Sequence, residues 1–200
     1  MGLTTKKELR AFGIQQMRAL PSEEVSRLSL QVIANLHSVP EFTTANGIFT
    51  CLSYNNEVDT WDLVDKLLFA GKRVYVPRVS FGANELHVVR YPCRLEMLRI
   101  GLQQPIPEEP RIPTAEINSV IDVALVLGVL FDRERGFRLG YGRGFFDRFL
   151  ARRSFPAIAL TFEQQLVSNL PAERHDVPMD VIVTEKRVYR FRDDHTCFAR

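Results

Sequence analysis

Two hundred residues, 46% of them hydrophobic, are enough for one globular domain (1–200) with a sizeable core. Twenty-six basic residues against 24 acidic ones leave a net charge of +2, which gives no bulk footprint for nucleic acid but permits a local basic pocket. Three scattered cysteines (Cys51, Cys93, Cys197) without a Cys-x-x-Cys pair argue for a reducing compartment and against structural zinc. No apolar run is long enough for a bilayer, and the N-terminus lacks a signal-peptide core. The expectation is therefore a cytoplasmic protein with no membrane partner, a mitochondrial form being left open.

In chain order, Thr4 or Thr5 can cap a first helix reaching about Leu20, with Leu9, Phe12, Met17 and Leu20 on its apolar side. Lys6 and Arg10, four apart, share a face of it, either as a solvated rim or as part of a site. Pro21 breaks the pattern, and Ser22 is read as the cap of a second helix to about Leu36. From Gly47 to Leu52 the chain is almost continuously apolar, as in a strand covered on both faces. A polar loop follows, then a helix capped by Asp59 or Thr60 and closed at Gly71, then a strand from Lys72 to Val76 stopped by Pro77. This strand–helix–strand unit has the length of a parallel crossover. Residues 86–91 read as another strand, and 92–118, with five prolines, as an irregular excursion. Further strands are expected at 121–128, 157–162 and 181–184, with a charged turn over 131–137, a helix at 145–153, and a tail at about 192–200. Alternating strands and helices predict an α/β layered sheet, mostly parallel, with helices on both faces. Ligands then gather beyond the carboxyl ends of its strands, a rim expected to hold Glu57, the 138–148 stretch and the Glu163 region.

That stretch, Arg138-Leu139-Gly140-Tyr141-Gly142-Arg143-Gly144-Phe145-Phe146-Asp147-Arg148, carries the chemistry. Alternating glycines allow successive N–H groups to converge on an anion, and the helix start behind them favours negative charge. Arg138 and Arg143 add fixed positive charge, and Asp147 is placed to face a metal brought in by phosphates. Three glycines alone would read as a turn between strand and helix. The flanking arginines and the following acid favour a phosphate site. No Gly-x-Ser-x-Gly elbow, His-Glu-x-x-His pair or Gly-Lys-Ser/Thr loop is present, so serine hydrolase, zinc protease and standard P-loop readings lack their main residues.

Taken with Lys6/Arg10, Asn56-Glu57 and the run Leu170-Pro171…His175-Asp176-Val177-Pro178-Met179-Asp180…Val183-Thr184-Glu185, this stretch resembles 5-formyltetrahydrofolate cyclo-ligase over about residues 5–187. The resemblance implies a Rossmann-like, monomeric enzyme that uses ATP and Mg2+ to close the formyl group of 5-formyltetrahydrofolate, with or without a polyglutamate tail, onto N10. It implies that Lys6, Arg10, Arg138, Gly140, Tyr141, Gly142, Arg143, Gly144, Phe145 and Phe146 meet ATP, with Arg143 and Asp147 the catalytic pair. Asp147 and Asp176 correspond to metal ligands. Leu52, Tyr54, Glu57, Tyr141, Arg143 and Phe145 correspond to the folate site, Glu57 as acceptor for the pterin N–H edge.

The chain departs from that pattern in four places. Phe145 and Phe146 stand where the family usually has tyrosines, the 132–137 turn is one residue longer, Val129-Leu130 is bulkier, and Leu102 stands near a position some members give to an aromatic. Two other readings stay open. One is a folate- and nucleotide-binding regulator with weakened catalysis; the other is a sugar-phosphate enzyme on a similar sheet. Arg73, Arg78 and Arg90 are candidates for an anionic tail, or plain surface residues.

Overall fold

The computed structural model describes residues 5–191; Thr4, Cys197 and the expected 192–200 tail lie outside the described residues. Helix α1 (Lys6–Ala19) begins at Thr5 with a reciprocal cap: the Thr5 hydroxyl accepts from the Glu8 N–H at 3.2 Å, and the Glu8 carboxylate accepts from the Thr5 N–H at 3.1 Å. Helices α2 (Ser22–Leu36) and α3 (Pro40–Thr43) follow, then β1 (Gly47–Thr50) and α4 (Trp61–Phe69). Ser22 is not a cap. Pro21 holds that position without a side-chain bond, and Ser22 is already inside the first turn, because the fixed φ of proline suits the extended residue before a helix. At α4 it is Asp59 that accepts from the Trp61 N–H, at 2.9 Å, while the Thr60 hydroxyl donates to the Cys51 carbonyl at 2.7 Å.

β2 (Arg73–Ser80) runs through Pro77 instead of stopping there. It pairs with β1 only as far as Tyr75, so beyond that point one side of the strand is an edge, where proline is tolerated. β3 (Glu85–Tyr91) returns antiparallel to it. The proline-rich segment holds more order than its composition suggests: a hairpin of β4 (Leu95–Met97) and β5 (Gln103–Pro105), then α5 (Ile117–Val120). Gln104 ties the hairpin to β2, accepting from the Val79 N–H at 3.0 Å and donating to Glu96 at 3.0 Å.

The remaining elements are β6 (Val123–Val126), β7 (Leu130–Asp132), β8 (Arg138–Leu139), α6 (Phe145–Leu150), β9 (Ala157–Leu160), β10 (Leu166–Val167), β11 (Val181–Val183) and β12 (Val188–Arg190). Seven strands form one sheet in the order β12-β11-β9-β6-β1-β2-β3, parallel except for the two edge strands. Side chains alternate between its faces. Ile48, Val123, Leu125, Ile158 and Val181 pack with α2, α3 and α4. Phe49, Ala124, Val126, Ala159 and Ile182 pack with α5 and α6. The α/β sheet with helices on both faces is therefore as the sequence predicts.

A smaller sheet, β10-β7-β8, holds the 132–137 turn. The Asp132 carboxylate is fully buried and accepts from the N–H groups of Glu134, Arg135 and Leu170 and from the Arg135 guanidinium, so the longer turn is firmly tied. Helix α1 lies against this sheet at Gly13, where a Cβ would stand 2.6 Å from Val129 and 2.8 Å from Leu130. The bulky Val129-Leu130 pair thus fits because the helix residue facing it has no side chain. Phe12, expected on the apolar side, is 36% exposed; Leu9, Gly13 and Met17 form the buried stripe.

Candidate active site

Beyond the carboxyl ends of β1, β2 and β6 lies a cavity of about 350 Å³. Three parts of the chain build it. Helix α1 brings Lys6 and Arg10, the loop after β1 brings Leu52, Tyr54 and Glu57, and the loop after β8 brings Arg138 and residues 140–147. Asp176 closes it from the segment before β11. Every residue assigned from the sequence to ATP, folate or metal lines this one cavity.

At one end, charged groups neutralise one another. The Lys6 ammonium stands 2.6 Å from Asp176 and 3.1 Å from Glu173. Burial works to lower the Lys6 pKa, but these two partners raise it further, so the net shift is upward. Arg138 lies under the glycine loop, its guanidinium 3.5 Å from Asp147 and 5.2 Å over the Phe146 ring. The loop needs its glycines for these approaches. A Cβ at Gly140 would run into the Arg138 guanidinium; at Gly142, where φ is +95°, it would come within 3.1 Å of the Arg10 guanidinium. Arg10 in turn donates to the Gly140 carbonyl at 2.8 Å.

The other end is built from neutral donors. Glu57 is 5% exposed and accepts from the Tyr141 hydroxyl at 3.0 Å and the Tyr54 N–H at 3.2 Å. Burial pushes its carboxyl up to about 7; the bonds from Tyr54 and Tyr141 and the charge of Arg138 pull the other way. The Tyr54 and Tyr141 rings pack 5.5 Å apart. Neighbouring Asn56 anchors the loop, its amide donating to the Met17 and Leu20 carbonyls at the end of α1.

The sequence model of the 5-formyltetrahydrofolate cyclo-ligase family matches residues 3–185. The 5-formyltetrahydrofolate cyclo-ligase of Escherichia coli (strain K12) is 32% identical over 184 residues, covering 88% of this chain and 98% of that one. The NMR structure of the Aquifex aeolicus 5,10-methenyltetrahydrofolate synthetase matches with a TM-score of 0.79 at 33% identity, covering 98% of this chain and all of that one. The chain belongs to the 5-formyltetrahydrofolate cyclo-ligase family. A synthetase from Mycoplasma pneumoniae, at 23% identity and a TM-score of 0.72, shares the fold over 91% of this chain and 99% of its own.

Within this cyclo-ligase fold several sequence expectations need correction. Glu163 is not on the pocket wall; its carboxylate accepts from Thr184 at 2.8 Å and Tyr189 at 2.6 Å, holding β9, β11 and β12 together. Asp180, in the same C-terminal run as Asp176, accepts from the Ala157 N–H and from Arg153 at 2.7 Å. Arg73 and Arg90 sit at the opposite end of the strands, where Gly47 pairs with Arg73 and Tyr75 with Arg90, so neither reaches the cavity. Asp147 and Asp176 both reach it, but each leans on a different cation. Among the described residues no group of three or more metal-ligating side chains forms a ready site.

Residues from the 77–81 and 100–104 segments also line the pocket, and only Leu102 among them had been singled out. Phe81, 46% exposed, packs edge-on to Phe145 at 5.8 Å with the Arg143 guanidinium 5.5 Å over its ring. No local pattern reveals this; it depends on β2 continuing past Pro77.

Proposed function

We propose that this protein uses ATP and Mg2+ to convert 5-formyltetrahydrofolate into 5,10-methenyltetrahydrofolate, ADP and phosphate. The observation that carries the reading is the meeting, in one cavity, of a glycine loop walled by Lys6, Arg10, Arg138 and Arg143 with a buried Glu57 flanked by two tyrosines. The first set suits a triphosphate. The second suits the N–H edge of a pterin, with Tyr54, Tyr141 and Leu52 supplying the slot.

The formyl oxygen is a poor leaving group until it is phosphorylated. Transfer of the γ-phosphoryl group to that oxygen breaks the bond to ADP. The N10 lone pair then forms a bond to the formyl carbon, N10 gives up its proton to solvent, the C–O bond breaks, and the oxygen departs with phosphate. The protein's share is positioning and charge. Arg143 and Arg10 hold phosphate oxygens against the loop, and Arg138 supports them from beneath. Glu57 fixes the ring so that N10 faces the formyl carbon. Asp147 and Asp176 fit Mg2+: both are hard oxygen donors on the cavity wall, and Asp147 keeps one buried carboxylate oxygen without a hydrogen-bond partner. Bound there with phosphate oxygens and water, the ion would draw negative charge off the transferring group.

The reading includes a monomer in the cytoplasm, in keeping with Cys51 and Cys93 being free thiols. The test is the absorbance of the methenyl product formed by purified protein with ATP, magnesium and formylfolate, against the same mixture without ATP. Growth of the chromophore only with ATP supports the proposal. Tight binding of both ligands with no chromophore would replace it with the binding-regulator reading.

A further inference from the structure

Lys6 and Arg138 meet carboxylates, whereas the Arg143 guanidinium has no carboxylate or hydrogen-bond partner among the described residues. Arg143 is exposed and sits between two glycines of positive φ, Gly142 at +95° and Gly144 at +63°, so the local backbone restrains it little. Arginine has among the largest rotamer freedom of any side chain, and fixing it against a ligand costs that freedom. What holds it is Phe81, whose ring lies 5.5 Å from the guanidinium carbon. Phe81 belongs to the turn between β2 and β3 and packs edge-on to Phe145. On the Phe145 ring, at 5.5 Å, stands the guanidinium of Arg148. Arg148 does not line the reaction cavity, yet its Nη2 reaches both segments that do. It donates to the carbonyl and the amide oxygen of Asn84, on the β2–β3 turn, at 3.0 and 2.9 Å, and to the Arg143 carbonyl, on the glycine loop, at 3.1 Å. Gly144 makes room for this, since a Cβ there would lie 3.0 Å from Arg148 Nη1.

We infer that Arg148 is a positioning residue for phosphoryl transfer. It ties the end of the glycine loop to the β2–β3 turn, and so keeps Phe81 against the Arg143 guanidinium where the cavity receives the triphosphate. This role rests on the reading of Arg143 as a phosphate contact and extends it to the residue that aims it. The contacts close a circuit: Arg148 on Phe145, Phe145 on Phe81, Phe81 on Arg143, and the Arg143 carbonyl back on Arg148. Exposed cation–aromatic contacts are individually weak, and so is each hydrogen bond from an exposed guanidinium. Joined in one circuit, each holds the others in register. The aimed cation then meets the transferring group without reorganising, which is where electrostatic catalysis gains most. A lysine cannot take the place of Arg148, because an ammonium has no flat face to lay on Phe145 while it reaches two carbonyls.

The experiment is a double-mutant cycle on Arg143→Ala and Arg148→Ala. It is read as kcat from the methenyl chromophore and as the Kd of ATP with magnesium, titrated calorimetrically without folate. In the parent, Arg148→Ala should lower kcat by about tenfold and weaken ATP by about threefold, with the folate KM unchanged. In the Arg143→Ala background the same change should cost less than about twofold in either quantity, because the side chain it aims is gone. Arg148→Lys, which keeps the charge, should lose as much as Arg148→Ala. Asn84→Gly suits the +55° backbone and keeps the carbonyl while removing one acceptor. It should lower kcat by about threefold, an effect that likewise disappears without Arg143, and it carries the test should the Arg148 variants melt below the assay temperature. A silent Arg148→Ala (or a silent Asn84→Gly where that one stands in), full rescue by lysine, or a loss that persists undiminished in the Arg143→Ala background overturns the positioning role and leaves the phosphate reading standing. Normal kcat and ATP affinity in Arg143→Ala itself overturns both.

Discussion

The two ends of the reaction pocket handle charge in opposite ways. At the phosphate end, Lys6 sits against Asp176 and Arg138 against Asp147, so these two cations have carboxylate partners before any ligand arrives. At the pterin end, Glu57 is buried with only a hydroxyl and an N–H for partners, and its carboxyl is pushed up to about 7. Ligand binding at the first end is an exchange of partners, with phosphate taking cations from carboxylates and a metal taking the carboxylates. Binding at the second is completion of a desolvated acceptor, and it carries a proton equilibrium that the first does not. Arg138 links them, since its charge pairs with Asp147 and also pulls the Glu57 carboxyl downward.

The largest test of this contrast is Asp147→Asn, which keeps the shape and removes the charge. Loss of a group that stabilises the transferring phosphoryl should lower kcat by about 100-fold or more, with the folate KM within about twofold of the parent. A folate KM that rises in step with the loss of kcat would mean that the two ends are not separable.

Next comes Glu57→Gln. In the parent, kcat/KM for folate should rise with pH and level off above about 7, the Glu57 value. The variant should show a flat profile and a folate KM raised by about tenfold, the scale of one charge-assisted hydrogen bond. Stability depends on the same proton. A carboxyl raised from its usual range to about 7 contributes stability in full below pH 4.5, and that contribution is lost as pH rises through 7. At pH 8 the variant should therefore melt higher than the parent, by up to about 3 kcal/mol, and below pH 4.5 the advantage should vanish. Parallel melting curves at all pH values would mean that Glu57 is not the strained acceptor described here.

Gly142→Ala sharpens the contrast from the backbone side. At φ +95°, with the Arg10 guanidinium 3.1 Å from the new Cβ, the cost should be about 1–3 kcal/mol, shared between strain and displacement of Arg10. ATP KM should rise about fivefold and folate KM stay put; calorimetric melting and steady-state kinetics together read both.

How much of this was legible beforehand follows the same division. The phosphate end is written locally. Residues 138–147 are contiguous, and Lys6 and Arg10 are one helical turn apart, so spacing marks each set, while the Arg10 bond to Gly140 that joins the two spans 130 residues. Glu57 was marked through its family resemblance, but its burial and its Tyr141 partner, 84 residues away, belong to tertiary structure. Phe81 and Gln104 escape the sequence pattern because proline marks the end of most strands and a proline-rich segment lacks periodicity, whereas edge pairing tolerates the first and Gln104 bonds to Val79 order the second. Glu163 was placed on the rim correctly by chain position and wrongly by side chain, since Thr184 and Tyr189 turn it inward.

The smallest expected effect tests whether α1 belongs to one end alone. Thr5→Ala removes the hydroxyl that caps the helix and leaves Glu8 facing the Thr5 backbone N–H. Caps of this kind contribute about 1 kcal/mol, so the melting temperature should fall by a few degrees. The helix carries Lys6 and Arg10 to the phosphate end, but its far end is also tied to the Glu57 loop through Asn56. Fraying is confined to the first turn, where Lys6 lies, and the Asn56 bonds are three turns away. ATP KM should therefore rise by about twofold while folate KM holds. If both rise equally, α1 moves as a rigid rod between the two ends, and the separation drawn between them fails at the helix that touches both.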